Sequence, residues 1–133
     1  MGVVEDLRAM NKAFYDAFEA RDMDAMSDVW EHSDRSLCTH PGWATLRGWS
    51  QVAASFFALF QNRSPIQFIL TNEKVVLQGD VGWVSVDENI LGEQSGSTVA
   101  ALNLFTRDAG DDQWRLVCHH GSVVIPQPPV VTP

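Results

Sequence analysis

Residues 66–124 read IQFILTNEKVVLQGDVGWVSVDENILGEQSGSTVAALNLFTRDAGDDQWRLVCHHGSVV, and this stretch decides the fold. It is rich in Val, Ile, Thr, Phe and Trp, which suit extended backbone. It breaks at Gln78-Gly79-Asp80, at Gly92 to Gly96 and at Asp108 to Asp112. Short loops of this kind join hairpins, so the spacing predicts an antiparallel meander of four strands over 66–77, 81–91, 97–106 and 113–124. Along the third strand Leu102 and Leu104 lie opposite Ala101, Asn103 and Phe105, and both sets are largely apolar. A sheet apolar on both faces must be covered on both. Helices from the first half can cover one, and a second copy of the chain is expected to cover the other, giving a homodimer.

The first half has a helical period. Val4, Leu7, Met10, Ala13, Phe14, Ala17 and Phe18 recur at three- and four-residue steps, which predicts a helix over 3–20. Asp22 is placed to cap a second, short helix with Met23, Met26, Val29 and Trp30 inward. Ser36–Thr39 and Ala44–Arg47 flank Pro41-Gly42 and read as a short hairpin. Ser50 then caps a third helix to about Asn62, with Val52, Phe56, Leu59 and Phe60 buried, and Pro65 prevents its continuation. Residues 126–133 hold four of the six prolines and read as an extended tail. The expected organisation is one domain over 1–125 and that tail. The fold class is α+β: three N-terminal helices packed on a curved antiparallel sheet, in a cone-shaped roll.

Composition narrows the function. The chain has 133 residues with seventeen acids, nine bases and a net charge of −8. An acidic chain of that size is poorly suited to nucleic acid or to an anionic membrane surface. No apolar run approaches the ~20 residues of a membrane span. Met1 to Lys12 is amphipathic and unlike a signal peptide. Cys38 and Cys118 are too few for a disulfide framework, so a reducing, cytoplasmic compartment is expected. No metal-ligand spacing and no glycine-rich phosphate loop is present, so neither metal nor cofactor is implied.

Three segments carry a resemblance. They are Ala20-Arg21-Asp22-Met23-Asp24-Ala25-Met26, the Asp34 to Gly48 hairpin with its proline, and Trp114-Arg115-Leu116-Val117-Cys118-His119-His120-Gly121-Ser122. In this order they resemble the nuclear transport factor 2-like superfamily, and the last resembles the closing strand of its SnoaL-like members. The resemblance implies the cone fold shared by ketosteroid isomerase, scytalone dehydratase, limonene-epoxide hydrolase and the SnoaL-like cyclases, with a cavity between helices and sheet. Laid against ketosteroid isomerase, the tyrosine that holds the enolate falls at Phe14, the aspartate base at His40 and the second oxyanion aspartate at Asn103. Phenylalanine donates no hydrogen bond, so isomerase chemistry as written is not supported. Tyr15 is one residue away but is turned by ~100°, off the stripe.

His40 is the leading candidate for acid-base chemistry, because imidazole titrates near neutrality. Its other reading is a brace for the Pro41-Gly42 turn. Asn103 falls on an apolar strand face and must find partners there, either a ligand or a neighbouring strand. His119 and His120 face opposite ways. His119 is assigned to the cavity on the resemblance, although Trp114 and Leu116 share the parity of His120. Trp43 is placed at the rim, and Phe14, Trp30, Cys38, Phe56, Trp83 and Val117 complete the expected lining. The function expected is a cofactor-independent isomerase, cyclase, dehydratase or hydrolase acting on a small apolar ligand. The alternative is a non-catalytic ligand-binding or dimeric assembly module.

Overall fold

The computed structural model describes residues 3–92 and 96–126. The proline-rich tail beyond Pro126 and the centre of the Gly92 to Gly96 loop lie outside the described residues. The elements run α1 (Val3–Ala20), α2 (Met23–Val29), β1 (Leu37–Thr39), β2 (Leu46–Arg47), α3 (Trp49–Leu59), β3 (Gln67–Gln78), β4 (Val81–Leu91), β5 (Ser97–Arg107) and β6 (Trp114–Val123). Asp22 caps α2, its side chain accepting from the Ala25 N–H at 3.1 Å. Ser50 does not cap α3. Gly48 occupies the cap position with φ 84°, a left-handed conformation that suits glycine, and supplies no side-chain bond. The helix also stops at Leu59, and Gln61 and Asn62 close it with tighter bonds to Ala58 and Leu59.

The sheet has six strands in the order β2-β1-β6-β5-β4-β3. β3 to β6 form the expected antiparallel meander. The sheet as a whole is mixed, which corrects the all-antiparallel expectation: β1 lies parallel to β6, pairing Cys38 with His119 and Thr39 with His120. A parallel pair needs a long crossover, and here everything from β2 to β5 intervenes in sequence. This pairing brings the His40 turn beside the closing strand.

Alternation assigns the faces. Val84, Val86 and Glu88 of β4, and Val99, Ala101, Asn103 and Phe105 of β5, are buried on the inner face. In β6 the parity would set His119 against Trp114 and Leu116. A bulge resolves this. Leu104 pairs with Cys118 but Phe105 pairs with Leu116, so Val117 is the extra residue. Trp114, Leu116, Val117 and His119 are therefore all buried, and His120 is exposed.

α1 presses into this concavity and buries Leu7, Asn11, Phe14, Tyr15 and Ala17. A helix in a curved sheet buries more than a narrow stripe, which is why Tyr15 goes inside with Phe14 rather than off the core. Leu7 sits in a notch left by Gly82. A Cβ on Gly82 would lie 2.5 Å from Leu7 Cδ2 and 3.4 Å from its Cδ1. Gly82→Ala is therefore expected to lower stability by about 1–3 kcal/mol in urea denaturation, and Leu7→Ala by about 2–5 kcal/mol. An unchanged midpoint for Gly82→Ala would contradict this packing.

Candidate functional site

A cavity of about 250 Å³ lies between the helices and the inner sheet face. Phe18 of α1 and Leu59 of α3 form one side, His40, Pro41 and Trp43 of the turn another, and Ile66, Phe68 and Ile90 a third. Two polar side chains join them from the sheet, Glu88 of β4 and His119 of β6.

A buried hydrogen-bonded run stands behind that wall. Asn103 Nδ2 donates to Asn11 Oδ1 at 2.8 Å and to the Tyr15 hydroxyl at 3.1 Å. The Tyr15 hydroxyl donates to Glu88 Oε2 at 2.5 Å. With both Asn103 protons spent, its Oδ1 only accepts, so His119 Nδ1 carries the proton in the 2.5 Å contact between them. The donors thus point one way, from His119 through Asn103 and Tyr15 to the carboxyl of Glu88. Neutral His119 keeps a lone pair on Nε2. Among the described residues, the sealed side-chain atoms without a partner are Asn11 Nδ2 and Trp30 Nε1. Glu88 Oε1 and His119 Nε2 have no hydrogen-bond partner among the described residues and are not among these sealed atoms, so they are the atoms the sheet side of the wall offers to the cavity.

Burial sets the protonation states. It pushes the Glu88 carboxyl up from 4.5 to about 7, against the opposing effect of the Tyr15 hydrogen bond. It also raises the Tyr15 hydroxyl well above its ordinary value, with the Glu88 charge adding to the effect. It pulls His40 down to about 4 and His119 to about 3, so both rings are neutral near pH 7. His119 is lowered further by His40 and His120. When Glu88 takes up a proton, Oε2 still accepts from Tyr15, so the proton rides on Oε1, on the cavity side.

The candidates from the sequence divide into four groups. His40, Trp43 and His119 line the cavity. His40 is 4% exposed, and its Nε2 lies 2.9 Å from Ser55 Oγ. That hydroxyl donates to the Val52 carbonyl, so His40 Nε2 is the donor to it. Asn103, Phe14, Phe56 and Cys38 lie one layer deeper. Phe14 packs on the His119 ring at 4.9 Å and Phe56 on His40 at 5.0 Å. Cys38 Sγ is 3.7 Å from His40 Nε2, and burial raises its thiol far above the usual range. Trp30 and Val117 are buried in the core and do not line the cavity. Trp83 is a correction: it pairs with Leu104 and Val76 on the outer face. Among the described residues, no group of three or more His, Cys, Asp or Glu side chains could hold a metal ion.

Sequence reading missed Glu88 and Tyr15. Glu88 had a signal. In the run Val84, Val86, Glu88, Ile90, an acid takes a place on the apolar side of a period-two strand.

Three helices on a curved, mixed six-stranded sheet define an α+β cone, and the comparisons agree on that fold. A profile of the SnoaL-like domain matches residues 7–126, and the chain belongs to that family. It is similar to a proposed dehydratase of the NTF2-like family from Streptomyces avermitilis, at 36% identity and TM-score 0.85, covering 92% of this chain and 96% of that one. It is also similar to a proposed calcium/calmodulin-dependent protein kinase type II association domain from Thiobacillus denitrificans, at 36% identity and TM-score 0.76, covering 89% and 94%. F-box protein SKIP8 of Arabidopsis thaliana is 24% identical over 88% of this chain, which spans about half (49%) of that protein.

The protonation states imply a pH signature. The folded state binds the Glu88 proton more tightly than the unfolded chain does. This contribution is therefore lost progressively as pH rises from about 4.5 to about 7. The histidines act oppositely. Held below 6.5, they make stability rise with pH from about 3 to 6.5. Glu88→Gln removes only the first effect. The stability of wild type minus that of Glu88→Gln is expected to fall by on the order of 3 kcal/mol between about pH 4.5 and 8. A pH-independent difference in chemical denaturation would contradict a burial-raised carboxyl.

Proposed function

We propose that this chain is a cofactor-independent enzyme that moves a proton on a small, largely apolar molecule, in a water elimination or a double-bond shift. The observation that carries the reading is Glu88, a carboxyl held at about 7 on the wall of an aromatic cavity. A group poised near the working pH can both give and take a proton. Tyr15 fixes Oε2, so the exchangeable proton sits on Oε1. His119 Nε2 accepts from the substrate and orients it, with Asn103 holding the ring and its tautomer. His40 is a wall and positioning residue. Its value of about 4 makes it a weak base, and its Nε2 proton is committed to Ser55. Phe18, Phe68 and Trp43 supply flat apolar surface. The dehydratase description of the Streptomyces relative supports this class of reaction.

The test needs no known substrate. A panel of small cyclic hydroxy-ketones and enones is incubated with the protein in deuterated water and followed by NMR. Protein-dependent exchange of a carbon-bound proton, or loss of the hydroxyl, is expected for some member. Glu88→Gln is expected to slow it by roughly 10²–10⁴-fold. Turnover unaffected by Glu88→Gln would overturn the assignment.

The outer sheet face is read as a dimer contact. Val76, Trp83, Leu104 and Cys118 form one cross-strand row, flanked by Leu102 at 43% exposure. Likeness to an association domain supports self-assembly. Sedimentation is expected to give a dimer for wild type and a monomer for Leu104→Asp. A monomeric wild type at micromolar concentration would contradict this.

A further inference from the structure

The polar groups of the cavity wall are unusual in kind. When Glu88 is ionised, both atoms that the sheet side of the wall offers are acceptors, the carboxylate Oε1 and the imidazole Nε2 of His119. Among the described residues, no Lys or Arg side chain lines the cavity. The other titratable neighbours add no positive charge. Tyr15 from α1 donates to Glu88, and Cys38 from β1 and His40 from the turn are buried and neutral. Glu19 of α1 is bound to the Phe68 N–H, and Glu73 of β3 is paired with Arg8. The rest of the wall is largely apolar and aromatic, with Phe18, Phe68 and Trp43. Aromatic faces attract cations, and the net charge of −8 favours them at longer range.

We infer that the cavity selects a small ring compound carrying a primary amine, bound as its ammonium form between Glu88 and His119, and rejects carboxylates. The inference rests on the reading of this cavity as a small-molecule site and names its ligand class. An ammonium brings three donors and a charge to two acceptors. A carboxylate would bring a second negative charge and no donor. Size agrees: an apolar cavity of about 150 Å³ holds one benzene, so 250 Å³ holds a ring with a short substituent.

The test titrates benzylamine, benzyl alcohol and benzoate into labelled protein at about pH 8, read by NMR shifts of His119 and Trp43. Benzylammonium is expected to bind at least about tenfold more tightly than benzyl alcohol, from one charge-assisted bond, with benzoate weakest. In Glu88→Gln the preference for amine over alcohol is expected to shrink below about threefold. A second measurement uses wild type alone. Benzylamine stays protonated through this range, so its affinity should rise up to about tenfold from pH 6 to 8 as Glu88 ionises, while the alcohol's does not. Equal binding of amine and alcohol, or tighter binding of benzoate, overturns this inference and leaves the small-molecule reading intact. Failure of all three probes to bind overturns both.

Discussion

The Tyr15 hydroxyl bridges two buried side chains from neighbouring strands, and the arrangement of the inner sheet face depends on it. It accepts from Asn103 of β5 and donates to Glu88 of β4. Burying a carboxyl, an amide and an imidazole in one core is costly unless each finds partners. Here α1 supplies two of them, Asn11 and Tyr15, one helical turn apart. The same bonds fix the helix against the sheet, orient His119 and leave one carboxylate oxygen toward the cavity. The residues that pack the helix on the sheet are therefore also those that hold the buried carboxyl and imidazole. The orphaned Asn11 Nδ2 marks where the network is incomplete, at a cost of roughly 1–3 kcal/mol.

Much of the fold was legible because its signals are local. Helical spacing placed α1 over residues 3–20, and period-two runs with glycine breaks placed the four long strands near their observed bounds. The parallel pairing of β1 with β6 was not legible, because it joins residues 37–39 to 118–120 with no local signal. The β6 bulge was hidden in the same way. Parity counting gave a conflict between His119 and Leu116, and one extra residue at Val117 removes it.

The site was legible in part, for a related reason. His40 and His119 drew attention as residue types that titrate near neutrality. Inside the protein burial takes both well below that range. Glu88 was one acid among seventeen, most of them on surfaces and caps. Burial is what sets it apart, and burial is a property of three dimensions. Tyr15 was discounted on a stripe too narrow for a helix lying in a concave sheet. Trp83 did carry a sign, since it shares its parity with Ser85, Asp87 and Asn89, and it takes the outer face with them.

The fold holds one carboxyl near neutrality at the cavity wall. Carbon-13 NMR titration of the Glu88 side-chain carboxyl tests it most directly. A midpoint at about 7 is expected, well above the ordinary 4.5 of this group, moving higher still in Tyr15→Phe as the hydroxyl donor is lost. A midpoint in the ordinary carboxylate range near 4.5, unchanged by Tyr15→Phe, would contradict it.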